Sequence, residues 1–274
     1  KRLNDLYNIQ LVVSFFIDKS LEYQAMVFST INRTQKKVSE SLVYSLFGLT
    51  TSDSPQKSAL QITLALNAHI NSPFYNRIKL YGGEYERKQS PPLSQATMVK
   101  SIIDLICENI RESENDRFRD RTELKKRSAS SAKKLPFRSY YAKNEDTNIS
   151  DILFHYFNSV KNVFQISTNI SYWSFDPDTM KPTNILQTTV GYLALLDILV
   201  DILDEISIDD RFSDTVYSNY LSKATDIDFE DINRFPFTSK SKNILYLDLH
   251  LRIWPPTSQN DKRIIRLKEI LKES

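Results

Sequence analysis

The stretch Val190-Gly191-Tyr192-Leu193-Ala194-Leu195-Leu196-Asp197-Ile198-Leu199-Val200-Asp201-Ile202-Leu203 is the most apolar in the chain. Within the longer run Thr183–Ile206 it predicts a helix that is apolar on most sides, which belongs at the centre of a helical core. Asp197 and Asp201 interrupt it, and it is too short and too charged to cross a bilayer. Asp197, Asp201 and Asp204 fall at i, i+4 and i+7, one acidic stripe on that helix. Carboxylates on one stripe can hold a divalent cation. With no second cluster nearby the stripe reads as a solvated helix face, and no metal site is assigned.

Toward the C-terminus the acid continues through Asp209, Asp210, Asp214, Asp226, Asp228, Glu230 and Asp231. Leu245, Leu247, Leu249, Leu251 and Ile253 then alternate with Tyr246, Asp248, His250 and Arg252, which predicts a half-buried strand near 244–254. Trp254-Pro255-Pro256 ends it, and a helix is expected over Asp261–Leu271. Toward the N-terminus, helices are expected over Ile149–Phe164 and from Ser94 to about Glu112. Another starts at Ser54-Pro55, a cap followed by proline at the first helical position, and buries Ala59, Ile62, Leu66 and Ile70. Ser39 caps a further one that Gly48 ends in the left-handed conformation. Leu21, Ala25, Phe28 and Ile31 recur at helical spacing, and Gln10–Ile17 reads as a buried strand. The balance is α+β, mostly helical.

Composition narrows the function classes. The chain has 274 residues, 36 Lys and Arg against 34 Asp and Glu, four glycines and one cysteine. That length suits one large domain or two small ones. The few glycines form neither a P-loop nor a dinucleotide-binding fingerprint, so any nucleotide would be held by another device. Cys107, in an apolar run, reads as a buried packing residue of a protein in a reducing compartment. Lys1–Asn8 does not open a secretory signal, and the expected location is cytoplasmic, with no membrane contact.

Four segments carry a family resemblance. They are Phe28-Ser29-Thr30-Ile31-Asn32-Arg33-Thr34-Gln35-Lys36-Lys37-Val38, Ser41–Gly48, Ser72–Leu80 and Leu93–Lys100, in that order. Together they resemble DGQHR-domain proteins, relatives of the DndB-type DNA sulfur modification proteins; the Asp-Gly-Gln-His-Arg motif itself does not occur in the chain. The resemblance implies the later part of a ParB/sulfiredoxin-like strand-helix core over 1–50. A helical region over 51–116, a basic flexible insertion over 117–148 and a helical region over 149–274 would follow. It also implies DNA modification or phage defence in prokaryotes, as a DNA-associated regulator or accessory protein. Two alternatives stand beside it. One is a nucleotide hydrolase or nuclease, with a nucleotide as cofactor or substrate, whose catalytic motif would lie in an N-terminal part missing from this sequence, with Asn32 and Gln35 completing the pocket. The other is a scaffold that binds protein partners.

Candidate site residues follow. Asn32 and Gln35, just past an apolar helix, have carboxamides able to donate to and accept from a phosphate or base, or else to cap the helix. Lys36 and Lys37 stand beside them. Between Arg117 and Lys143 ten cations face only Asp120 and Glu123. Lys125, Lys126, Arg127, Lys133, Lys134 and Arg138 are the candidate phosphate contacts, and Tyr140 and Tyr141 are placed to stack on exposed bases. His69, His155 and His250 lack metal-ligand spacing. Asp248, His250 and Arg252 would share one face of the expected strand, as a polar surface or a catalytic one.

Overall fold

The computed structural model describes residues 17–32, 39–82, 90–124, 134–175 and 181–272. Helix α1 (Leu21–Asn32), α2 (Glu40–Phe47) and α3 (Pro55–Ala68) lead to β1 (Ile78–Lys79) and β2 (Leu93–Ser94). Then come α4 (Gln95–Ile106), α5 (Ile110–Asp116), α6 (Arg138–Ala142), α7 (Asp146–Val163), β3 (Gln165–Ser167) and β4 (Ile170–Ser171). The chain closes with α8 (Thr189–Glu205), α9 (Asp214–Leu221), α10 (Lys240–Ile253) and α11 (Lys262–Lys272). The protein is α+β and mostly helical: β1 and β2 pair parallel, β3 and β4 antiparallel, each over two or three residues.

Local chemistry starts several of these helices. Ser54 accepts the Lys57 N–H at 3.0 Å with Pro55 behind it, and Ser94 accepts the Thr97 N–H at 3.1 Å. Thr188 does the same for Gly191 at 3.1 Å and opens α8. Such a cap satisfies one of the backbone donors that a helix start leaves unpaired. Ser39 makes no side-chain cap bond. Gly48 is right-handed (φ −63°, ψ −22°), not left-handed as its place after α2 suggested. Its value lies in space, since a Cβ there would stand 3.2 Å from the Leu60 side chain of α3.

Helix α8 is the central helix that its sequence predicts. Leu195, Ile198, Leu199 and Ile202 are fully buried, with α10 packed against it. Beside it Phe74, Phe157, Trp173 and Tyr192 form an aromatic cluster, with Phe74 4.7 Å from Phe157 and Phe157 5.0 Å from Trp173. Arg77 is sandwiched there, its guanidinium 3.6 Å from the Trp173 ring and 4.1 Å from Phe175. It donates to the carbonyls of Trp173 and Leu186. Burial without a carboxylate pushes the Arg77 pKa well down.

The strand expected near 244–254 is helix α10. Leucine is a strong helix former, and the alternating residues are mostly leucine rather than β-branched. The alternation arises because α10 lies between two neighbours, α8 and α11, and buries leucines toward both. Of the strand read at Gln10–Ile17, residues 10–16 lie outside the described residues, and Ile17 is exposed with no strand assigned. Cys107 is buried, as its surroundings imply. Among the described residues no helix is long and apolar enough to cross a membrane.

Candidate functional site

Two of the four resembling segments meet at one buried carboxamide, and a third joins them through the adjoining strand pair. Gln95, 1 % exposed at the start of α4, accepts the Tyr81 N–H at 3.0 Å through Oε1. Its Nε2 donates to the Ser41 carbonyl at 3.1 Å and to Ser45 Oγ at 2.9 Å. The Ala96 N–H completes the junction, donating to Ser41 Oγ at 3.3 Å. Segment Ser41–Gly48 is thereby tied to Leu93–Lys100, while Ile78 and Lys79 pair with Leu93 and Ser94 in the parallel ladder. Asn32 is the last residue of α1; Gln35, Lys36 and Lys37 lie outside the described residues.

The basic candidates divide. Lys125, Lys126, Arg127 and Lys133 lie outside the described residues. Lys134 is bound to α8, 2.9 Å from Asp201 and 3.3 Å from Asp204. Arg138 is 3 % exposed, paired with the buried Asp116 and 3.4 Å from Glu112. Tyr140 and Tyr141, read as stacking platforms, are 5 % and 0 % exposed and belong to the core. Their rings offer no free face to a base, because α6 packs them against α4 and α7. Arg121, earlier in the same basic stretch, forks onto Asp146 at 2.8 and 3.0 Å and lies 4.2 Å from the Tyr141 ring. The span read as a flexible insertion over 117–148 is thus anchored in the core on both sides of 125–133.

The acidic stripe is engaged rather than solvated. Lys242 takes Asp197 at 2.7 Å, Lys134 takes Asp201 and Asp204, and the Tyr246 hydroxyl donates to Asp201 at 2.8 Å. Burial raises the Asp197 pKa, and Lys242 opposes it. His250 Nε2 is 3.7 Å from Asp201, while its Nδ1 lies 2.8 Å from an Arg263 nitrogen. A guanidinium can only donate, so Nδ1 accepts and the ring proton sits on Nε2, facing Asp201. Burial, with Arg263 beside it, lowers the His250 pKa. The Tyr246 contact escaped the sequence reading because a strand register sends residues 246 and 250 to a solvent face; helical spacing brings them together.

Asp248 and Arg252, four apart, share one face of α10 and lie 3.4 Å apart, while His250 between them turns away. Successive helical residues turn by about 100°, so positions two apart diverge. Asp248 is buried on Arg234, with two bonds of 2.6 Å, and Arg252 reaches Asp226 at 2.8 Å. His155 pairs with Asp214 at 2.7 Å, and His69 meets the edge of Phe154. The three histidines serve three separate places. Comparison of the chain with protein-family models, curated proteins and solved structures gave no match.

Proposed function

We propose that this protein is a DNA-associated accessory or regulatory factor of a prokaryotic DNA modification or defence system, acting by binding rather than by catalysis. The observation that carries the proposal is the charge of residues 125–133. They hold Lys125, Lys126, Arg127 and Lys133 with no acidic residue, between anchors at Arg121–Asp146 and Lys134–Asp201. Phosphate neutralisation by such cations needs no fixed geometry.

Membership among DGQHR-domain proteins, with a ParB/sulfiredoxin-type core over 1–50, belongs to the same proposal and rests on the four resembling segments. The packing of three of the segments supports it: Gln95 ties Ser41–Gly48 to Leu93–Lys100, and the strand pair ties Ser72–Leu80 to Leu93–Lys100.

Fluorescence anisotropy with duplex DNA at several salt concentrations tests the reading. Wild type is compared with the fourfold variant Lys125→Glu, Lys126→Glu, Arg127→Glu, Lys133→Glu. Each phosphate contact contributes about 0.9 to the slope of log affinity against log salt, so the variant should lose up to about 3 to 4 from it. Equal slopes, or no binding by wild type at low salt, would remove DNA contact from the proposal.

A further inference from the structure

A groove of about 520 Å³ opens between the N-terminal helices and the α4–α5 corner. Ala25 of α1, Val43 and Phe47 of α2, and Ile103 of α4 give it apolar walls. Neither α1 nor α2 fully buries any described side chain, and α1 packs on α2. The volume lies within the roughly 300–1,000 Å³ typical of small-molecule sites.

The groove has a definite electrostatic sign. Glu22, Glu40 and Glu114 stand on it, and among the described residues none of the three has an ion-pair partner. Lys100 and Arg117 are its cations, and the Arg117 guanidinium is held 5.0 Å from the Phe47 ring centre. Aromatic faces attract cations in this way. Tyr44 reports the same field: burial, then Glu40 and Asp104, push its phenol up to about 12. On the groove's lining Gln56 is 6 % exposed, and its carboxamide oxygen has no hydrogen-bond donor. Burying an acceptor unpaired is unfavourable, so a small turn of this carboxamide toward a ligand N–H in the groove would be rewarded. A phosphate would meet four carboxylates here, Asp104 being the fourth, and no glycine-lined cradle, so an anionic ligand does not fit.

We propose that the groove binds an organic cation with an apolar stem. Its ammonium or guanidinium head would lie among Glu22, Glu40 and Glu114, and its alkyl or aryl body against Val43, Phe47 and Ile103. This site is separate from the DNA contact proposed above and does not depend on it. The same chemistry is offered by a free amine or by a lysine or arginine side chain of a partner protein, and the test distinguishes the two.

Calorimetry on the full chain is carried out with 2-phenylethylamine, with its neutral analogue 2-phenylethanol, and with a short capped peptide holding one arginine between leucines. For so few atoms a Kd of about 0.1–1 mM is expected for the amine, with the alcohol at least about tenfold weaker. The double variant Glu40→Gln, Glu114→Gln should weaken the amine by about tenfold or more with an unchanged melting temperature. A second variant, Ala25→Trp, fills the groove from its exposed helix and should abolish binding without altering charge. Tighter binding of the peptide than of the amine assigns the cation to a protein partner, and the reverse assigns it to a free amine. Equal binding of amine and alcohol, no binding of amine or peptide, or affinity unmoved in both variants overturns the proposal.

Discussion

The Lys134 ammonium lies 2.9 Å from Asp201 and 3.3 Å from Asp204, so this cation belongs to helix α8 rather than to solvent. Its side chain is 39 % exposed and that of Asp201 20 %, a pair near the surface worth about 0.5–1 kcal/mol. Lys134→Ala is therefore expected to lower the melting temperature by about 1–4 °C. It should leave the salt slope of DNA binding where it was. If this single change flattens the slope as much as the fourfold variant does, Lys134 contacts phosphate and the division between the cations is wrong.

The Gln95 junction yields a prediction about coupling. Gln95→Ala removes the acceptor of the Tyr81 N–H and the donor to Ser41 and Ser45 in a site closed to water. Unpaired buried groups cost about 1–3 kcal/mol each, so a loss of about 3 kcal/mol is expected. Gln95→Glu should fare no better, because a carboxylate cannot donate to the Ser41 carbonyl. Hydrogen exchange should rise across Glu40–Phe47 in both variants while α8 stays protected. Uniform exchange across the chain would show that α2 is not held through this residue.

How much of this was legible depended on where the decisive contact lay. The centre of the fold could be read at Val190–Leu203, because a helix apolar on most sides has only one place to go. Ser54, Ser94 and Thr188 cap their helices through residues three positions on, a local rule, and the first two were read directly. The segment 244–254 misled because period-two leucines also arise on a helix with two buried sides, and only the neighbours α8 and α11 reveal that. The basic candidates depended on partners far away in sequence. Lys134 and Asp201 are 67 positions apart, and Arg138 and Asp116 are 22 apart, so no local pattern marks either cation as occupied. The groove was not legible at all, since its walls come from five helices whose individual sequences look ordinary.

The buried ion pair of Arg138 sets a larger stability effect. Arg138→Ala leaves Asp116, 2 % exposed, charged and unpaired, which costs about 3–5 kcal/mol. Arg138→Met with Asp116→Leu should recover much of that loss, because replacing both partners removes the stranded charge. Cys107 provides an independent readout. Burial and the adjacent Asp116 push its thiol pKa far up, so alkylation of native protein at neutral pH should be very slow. Arg138→Ala should speed it by raising the population of opened molecules. Urea unfolding and alkylation rates check the two halves, and equal losses in the single and double variants would deny the pair its role.

His250 gives the acid limb of the stability curve a direction. Burial first, with Arg263 also opposing charge, lowers its pKa below the usual 6.5. The unfolded chain therefore takes up the proton first. The contribution is fully present above 6.5 and is lost as pH falls through the lower folded value. Asp261, held down to about 2 by hydrogen bonds from Arg263, adds a second window: its contribution is present above 3.8 and fades toward 2. His250→Phe should flatten the first decline and leave the second. Urea midpoints between pH 7 and about 2 would show both. A midpoint that rises as pH drops below 6.5 would mean that His250 is stabilised in its charged form.

Gly191 supplies a case in which the sign of the effect is the test. It lies in the first turn of α8, where exchanging glycine for alanine ordinarily favours a helix by up to about 1 kcal/mol. Here a Cβ would stand 2.1 Å from the Ile185 carbonyl oxygen and 2.8 Å from the Leu186 Cα. Both are backbone atoms and cannot rotate away. Relief would require the Ile185–Gln187 turn to leave α8, against the Ile185 N–H bond to the Phe229 carbonyl and the Asn184 bond to the Tyr172 carbonyl. Gly191→Ala is therefore expected to destabilise by about 3 kcal/mol or more, an overpacking cost at the upper end of its usual range. Equilibrium urea unfolding decides between the two signs. A stabilised variant would mean that the α8 start is not packed against this turn, and that the core at its centre is arranged differently.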